Sequence, residues 1–212
     1  MKRSKTSKPW WLDRHVHDPY VKRAQQEGYR SRAAYKLLGL DEKDHLLRPG
    51  MTVVDLGAAP GGWCQVAAKK VGARGRVLGI DLLDMVPVAG VEFIRGDFAS
   101  AEGRSPIESA LQGQKADLVL SDLAPNFTGV AAVDQARHYG LAELALEFAA
   151  QCLKPDGTFV VKVFQGSGFE DYLRQMKTVF RLVTVRKPDA SRDESRENFL
   201  VARGLAKSSW QA

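Results

Sequence analysis

Thr52-Val53-Val54-Asp55-Leu56 runs into Gly57-Ala58-Ala59-Pro60-Gly61-Gly62, and Trp63 to Val71 follows with the pattern of a helix. The five apolar-rich residues read as a short buried strand, and the glycine-rich run as the turn from strand into helix. In an open α/β sheet, ligands sit beyond the carboxyl ends of the strands, near the point where strand order reverses. Glycines there let backbone and ligand approach without a Cβ between them. Alone, such a turn marks no more than a sharp bend, so its meaning depends on what surrounds it.

Downstream, Arg76 to Asp81 reads as a second strand, Val91 to Ile94 as a third, and Ala116 to Asp122 as a fourth that closes on an acid. Asp134 to Leu153 reads as a long helix ended by Pro155-Asp156-Gly157. Thr158 to Phe164 is a fifth strand, Phe169 to Thr178 a helix, Phe180 to Val185 a sixth strand and Asn198 to Ala202 a seventh. Upstream, Pro19 to Leu40 carries one helical pattern, and Pro49-Gly50 is a turn. Strands alternating with helices predict a parallel α/β sheet with helices on both faces. The last strand is the expected exception to parallel order, because the polar loop before it is too short for a crossover helix. The expected organisation is a flexible basic arm over residues 1–12, a single domain over 13–205 and a tail over 206–212.

The context of the turn points to a nucleoside. Asp81 closes the second strand about twenty residues after the glycines, where an acid can take both ribose hydroxyls. Asp97, in Arg95-Gly96-Asp97-Phe98, follows the third strand, where a side chain can meet an adenine amino group. Either acid alone is equally at home capping a loop. A dinucleotide site would show G-x-G-x-x-G and offer a helix N-terminus to pyrophosphate. Here the run carries a proline and no phosphate-binding lysine, which suits a cofactor without phosphate, such as S-adenosylmethionine.

Charge is distributed unevenly. The 212 residues hold 31 Lys+Arg against 25 Asp+Glu, a net of +6. Ten bases and three acids precede Leu37, so the whole excess lies in the first sixth of the chain. Trp10, Trp11, Tyr20 and Tyr29 are interleaved with it, and aromatics among cations either stack on bases or pin the segment to the core; with the charge, the pattern suits nucleic-acid contact. No apolar run approaches the roughly 20 residues that span a bilayer, and the basic start lacks the apolar stretch of a secretory signal. Cys64 and Cys152 form no metal-spaced pair and read as reduced packing residues of a cytoplasmic chain. Neither membrane nor metal is expected as a partner, and the chain is expected to act as a monomer.

Asp55 to Trp63, Ser121-Asp122-Leu123-Ala124-Pro125-Asn126 and Lys162-Val163-Phe164 together resemble the FtsJ family, over roughly residues 10 to 205. The resemblance implies a Rossmann-like S-adenosylmethionine-dependent methyltransferase fold, a seven-stranded, mostly parallel sheet with the last strand antiparallel. It implies that Gly61, Trp63, Asp81, Asp97 and Asp122 contact S-adenosylmethionine. It implies as substrate a uridine 2′-hydroxyl of 23S rRNA within the assembled 50S subunit. The family's Lys-Asp-Lys-Glu set matches Lys36, Asp122, Lys162 and Glu197. Phe199 stands where relatives are expected to carry tyrosine.

Those residue types fit the chemistry. A ribose hydroxyl is a weak acid and a poor nucleophile, so a positioned base must take its proton during transfer. Lys162 lies among Val160, Val161, Val163 and Phe164, and is the expected base. Lys36 would steady the developing alkoxide, with Asp122 and Glu197 orienting the two ammonium groups. Two rivals remain at this stage. Amine methylation of a base would call for a D/N-P-P-Y/F run after the fourth strand, and C5 methylation for a nucleophilic cysteine. A non-catalytic RNA-binding assembly factor would not need the four-residue set.

Overall fold

A computed structural model describes residues 18–191 and 195–206. Pro19–Glu27 forms α1, capped by the Asp18 carboxylate, which accepts from the Tyr20 N–H. The single long helix expected here is two. Gly28 takes a left-handed conformation (φ 75°) and ends α1, and α2 begins at Ala33 and runs to Asp44. The apolar spacing continues across the break, but the backbone does not.

Seven strands follow near their expected places: β1 Thr52–Leu56, β2 Arg76–Asp81, β3 Val91–Arg95, β4 Ala116–Ser121, β5 Leu153–Phe164, β6 Phe180–Arg186 and β7 Glu197–Leu205. The connecting helices are α3 Gly62–Val71, α4 Ala101–Ala110, α5 Ala131–Cys152 and α6 Phe169–Val179. The sequence reading missed α4. Only Ile107 of that helix is buried and Pro106 lies inside it, so no apolar stripe announces it. The turn expected at Pro155-Asp156-Gly157 lies within β5, where the register against β4 shifts between Ala116 and Leu118.

Strand order is β3-β2-β1-β4-β5-β7-β6. β7 is antiparallel to both neighbours, and the other pairings are parallel. The order reverses between β1 and β4, and the pairing continues past both strands as the Asp122 N–H donates to the Leu56 carbonyl at 3.0 Å. The core has two layers. On one face Phe159, Val161, Val163, Leu200 and Ala202 pack with α4, α5 and α6. On the other, Val53, Leu118, Leu120, Val160, Phe199 and Val201 pack against α2 and α3. Successive β5 residues alternate between these layers, as a pleated strand buried on both sides must. Lys162 shares the parity of Val160 and therefore faces α2.

Candidate active site

The glycine turn sits at the switch point. Gly57 has φ 85°, and a Cβ there would meet the Leu123 backbone nitrogen at 3.0 Å. Glycine is thus what lets the turn after β1 lie against the Asp122–Leu123 backbone after β4. Gly61 (φ 108°) is enclosed on its own side, where a Cβ would meet the Met85 sulfur at 2.9 Å and the Arg30 guanidinium at 3.1 Å. Arg30 ties this turn to the segment after β2. Its guanidinium donates to the carbonyls of Pro60 (3.2 Å), Pro87 (2.7 Å) and Val86, and its backbone N–H to Gln65 Oε1 at 2.9 Å. Sequence reasoning counted Arg30 only as part of the basic excess.

Trp63 is buried. Its indole N–H donates to the Ala33 carbonyl at 2.7 Å and its ring packs 5.7 Å from Phe199. The side chain joins α3 to α2 and β7, which leaves its backbone as the part that faces the turn. Asp81 accepts from the N–H groups of Ala59 (2.9 Å) and Leu83 (2.8 Å), one on each carboxylate oxygen. A carboxylate offers about four lone-pair sites, so each oxygen can still take a hydroxyl. Asp97 is exposed after β3 and accepts from the Ala99 N–H at 2.9 Å.

The four charged residues form two ion pairs. Lys162 Nζ lies 2.7 Å from Asp122 Oδ1 and donates to the Asp122 carbonyl at 2.9 Å. Lys36 Nζ lies 2.7 Å from each carboxylate oxygen of Glu197, and the Ser191 hydroxyl donates to Glu197 Oε1 at 3.0 Å. The pairs share one sheet face. Lys162 pairs across the ladder with Phe199, and Phe164 with Glu197. The Lys36 ammonium lies 5.9 Å from the centre of the Phe199 ring, which is fully buried. Phe199 therefore lies as an apolar spacer between the pairs.

Burial tunes the surroundings. Asp55 is fully enclosed on β1, accepts from the Cys64 thiol at 3.1 Å, and is pushed up to about 7, mainly by burial. The Cys64 thiol is itself pushed up by burial, and Cys152 is pushed up to about 12 for the same reason. Both thiols are free and buried, and neither has the lowered pKa of a nucleophile. His138, on α5, is held down at about 4 by burial and by the Lys162 charge, and its ring packs 4.7 Å from Phe164.

Of the five bases that the chain's basic first sixth places among the described residues, four are engaged by the protein itself. Arg23 pairs with Glu27, Arg32 with Asp18, and Lys36 with Glu197, while Arg30 holds carbonyls. Lys22 is exposed. The bases before Asp18, with Trp10 and Trp11, lie outside the described residues. Among the described residues no group of three or more His, Cys, Asp or Glu could hold a metal ion, and no helix is long and apolar enough to cross a membrane.

The profile of the FtsJ-like methyltransferase family matches residues 29–205. The ribosomal RNA large subunit methyltransferase E of Thiobacillus denitrificans is 60% identical over 202 residues, 95% of this chain and 91% of that protein. The protein of the same name from Azoarcus is 59% identical over 95% of this chain and 98% of its own length. A crystal structure of a ribosomal RNA methyltransferase from Plasmodium falciparum is similar with a TM-score of 0.75 at 32% identity, covering 84% of this chain and 98% of that one. With the profile spanning the sheet from before β1 to the end of β7, the chain belongs to the FtsJ-like methyltransferase family.

Proposed function

We propose that the protein is an S-adenosylmethionine-dependent RNA 2′-O-methyltransferase acting on a uridine of 23S rRNA in the assembled 50S subunit. The observation that carries the reading is the pair of lysine–carboxylate contacts, Lys162–Asp122 and Lys36–Glu197, on one sheet face beside the glycine turn. The relatives named as large-subunit rRNA methyltransferases support the substrate class. Asp81 fits a nucleoside ribose because its oxygens are each used only once. The cofactor supplies the electrophilic methyl group when bound. Asp81 would hold its ribose and Asp97 its adenine, with Gly61 and the Trp63 backbone lining the turn.

The remaining chemistry falls to the charged set. Lys162, ion-paired with Asp122 in the resting site, first releases a proton to solvent and then accepts the 2′-hydroxyl proton at Nζ. Asp122 fixes where that nitrogen points, through both its carboxylate and its carbonyl. Lys36, held by both oxygens of Glu197, presents fixed positive charge to the oxygen as it becomes anionic. Cysteine-dependent base methylation finds no nucleophile here, since both thiols are enclosed. The test is methyl transfer from labelled S-adenosylmethionine to isolated 50S subunits and, separately, to free 23S rRNA, both lacking the modification, followed by digestion to nucleosides. Label in 2′-O-methyluridine is the expected result. Label in a methylated base, or none with either substrate, overturns the reading.

A further inference from the structure

Eight large hydrophobic residues are exposed among the described residues. Two of them, Leu182 and Val185, lie on the edge strand β6. The other six fall in two clusters beyond the carboxyl ends of parallel strands: Leu82, Leu83 and Val86 after β2, and Phe127, Val130 and Val133 after β4. Apolar side chains concentrated on the ligand-facing edge of a sheet mark a contact surface rather than random exposure.

The second cluster is held in place. Asp134, buried at the start of α5, accepts from the Thr128 N–H at 2.6 Å, the Thr128 hydroxyl at 2.7 Å and the Gly129 N–H at 3.0 Å. These bonds, led by the Thr128 N–H, keep its carboxyl below the usual range. At the other end, the loop leaves Asp122, whose backbone nitrogen is tied to Leu56. Phe127 thus stands between two fixed points with its side chain in solvent, 66% exposed. A protein gains nothing in stability by holding a phenylalanine out on a tethered loop.

The strand order says which ligand the ring meets. Asp81 and Asp97, the acids suited to the cofactor, follow β2 and β3 on one side of β1. Phe127 follows β4 on the other side, with Asp122, Lys162 and Glu197. Phe127 lies five positions beyond Asp122, a reach of at most about 18 Å, within which a ribose and its base lie together. Resting on the reading that Lys162 receives a ribose hydroxyl, we propose that the Phe127 ring is the platform on which the base of the target nucleotide stacks, with Val130 and Val133 as its apolar border. A phenyl face accepts any base, and such stacking is worth about 1–3 kcal/mol per base.

The test compares Phe127→Ala, Phe127→Leu and Phe127→Trp on large subunits lacking the modification. The alanine variant should lose roughly 5- to 150-fold in kcat/KM for the particle, the stacking energy converted to a rate ratio. Its calorimetric affinity for S-adenosylmethionine and its Tm should match wild type. Tryptophan should restore the rate, and leucine should restore it only in part. Unchanged kcat/KM in Phe127→Ala overturns the proposal, as does full rescue by leucine, which would make the contact merely apolar. A second readout is independent of turnover. With Trp10 and Trp11 replaced by phenylalanine in the Phe127→Trp background, Trp63 and Trp210 remain beside the introduced indole, and the same protein without Phe127→Trp supplies their background signal. Extra quenching from the introduced indole on titrating unmodified subunits supports stacking even if the methyl is found on the base, and its absence overturns stacking even if the methyl is found on the ribose.

Discussion

Replacing Lys162 by arginine separates stability from proton transfer. In the native protein the side chain is 8% exposed, with Nζ 2.7 Å from an Asp122 oxygen and 2.9 Å from the Asp122 carbonyl. Lys162→Ala removes the cation and leaves Asp122 unpaired. Asp122 is only partly enclosed, its side chain 21% exposed, so the cost is set near the low end for a stranded charge, about 1–3 kcal/mol. For a chain of this size that is a fall in Tm of about 2–12 °C. Arginine restores the cation and should recover most of that loss. A guanidinium is not deprotonated in proteins, so it cannot accept the hydroxyl proton. Both variants should therefore lose at least the roughly 10²–10⁴-fold typical of removing a general base, while only the alanine variant melts early. Single-turnover methylation of 50S subunits lacking the modification, and scanning calorimetry on the same enzyme preparations, measure the two effects. An arginine variant with wild-type Tm and a rate within a few-fold of wild type would refute the base assignment and leave Lys162 as fixed positive charge.

Three further outcomes are expected. Asp81→Ala should weaken S-adenosylmethionine binding roughly ten- to several-hundred-fold, because each charge-assisted hydrogen bond contributes about 1.5–3 kcal/mol; calorimetry giving wild-type affinity would remove Asp81 from the site. Asp55 is protonated in the native state up to about pH 7 but ionises near 3.8 when unfolded, so its contribution to stability falls as pH rises from about 4 to about 7 and is constant above. Asp55→Asn should therefore gain on wild type by an amount on the order of 3 kcal/mol between pH 5 and pH 8, and denaturant melts with a pH-independent difference would count against a buried proton on Asp55. His138 has the opposite sign: its native value is depressed to about 4, so the stability it contributes is present above 6.5 and is lost as pH falls from there to 4. In His138→Leu the acid side of the stability profile should flatten over that window, and an unchanged profile would place the imidazole in contact with water.

What the sequence made legible is the part governed by local rules. Short apolar strands expected to close on acids such as Asp81 and Asp122 are punctuated by glycine and polar turns, and each appears within three residues of its expected bounds, except that β5 begins five residues early, at Leu153. Gly28 was legible in principle as a helix stop, but the apolar spacing on either side of it masked the break. Helix α4 was not legible, because a helix that buries one isoleucine carries no periodic signal. The pairing of the four charged residues was also out of reach. Which lysine meets which acid depends on the antiparallel register that sets Lys162 opposite Phe199 and Glu197 opposite Phe164. That register is fixed by a strand at the end of the chain inserting between β5 and β6, not by any spacing near the lysines.

Net charge likewise did not reveal where the described bases near the start of the chain point. The first sixth of the chain is basic by count, yet Arg30, Arg32 and Lys36 are drawn inward, onto the carbonyls beside the glycine turn, onto Asp18 and Ala190, and onto Glu197. A guanidinium with five donors in a fixed fork can bind several backbone oxygens as readily as a phosphate, and Arg30 does so at Pro60, Val86 and Pro87. These residues therefore join α1 and α2 to the glycine turn and to the loop before β7, so the N-terminal helices brace the candidate site from outside. A polyanion attracted to this end of the chain must be met by the charges left over, Lys22 among them, and by apolar and aromatic faces such as Phe127. Contacts of that second kind do not weaken with salt as phosphate contacts do. The share of binding that survives high salt should accordingly fall in Phe127→Ala and persist when Lys22 is neutralised, a difference that filter binding across a salt series resolves.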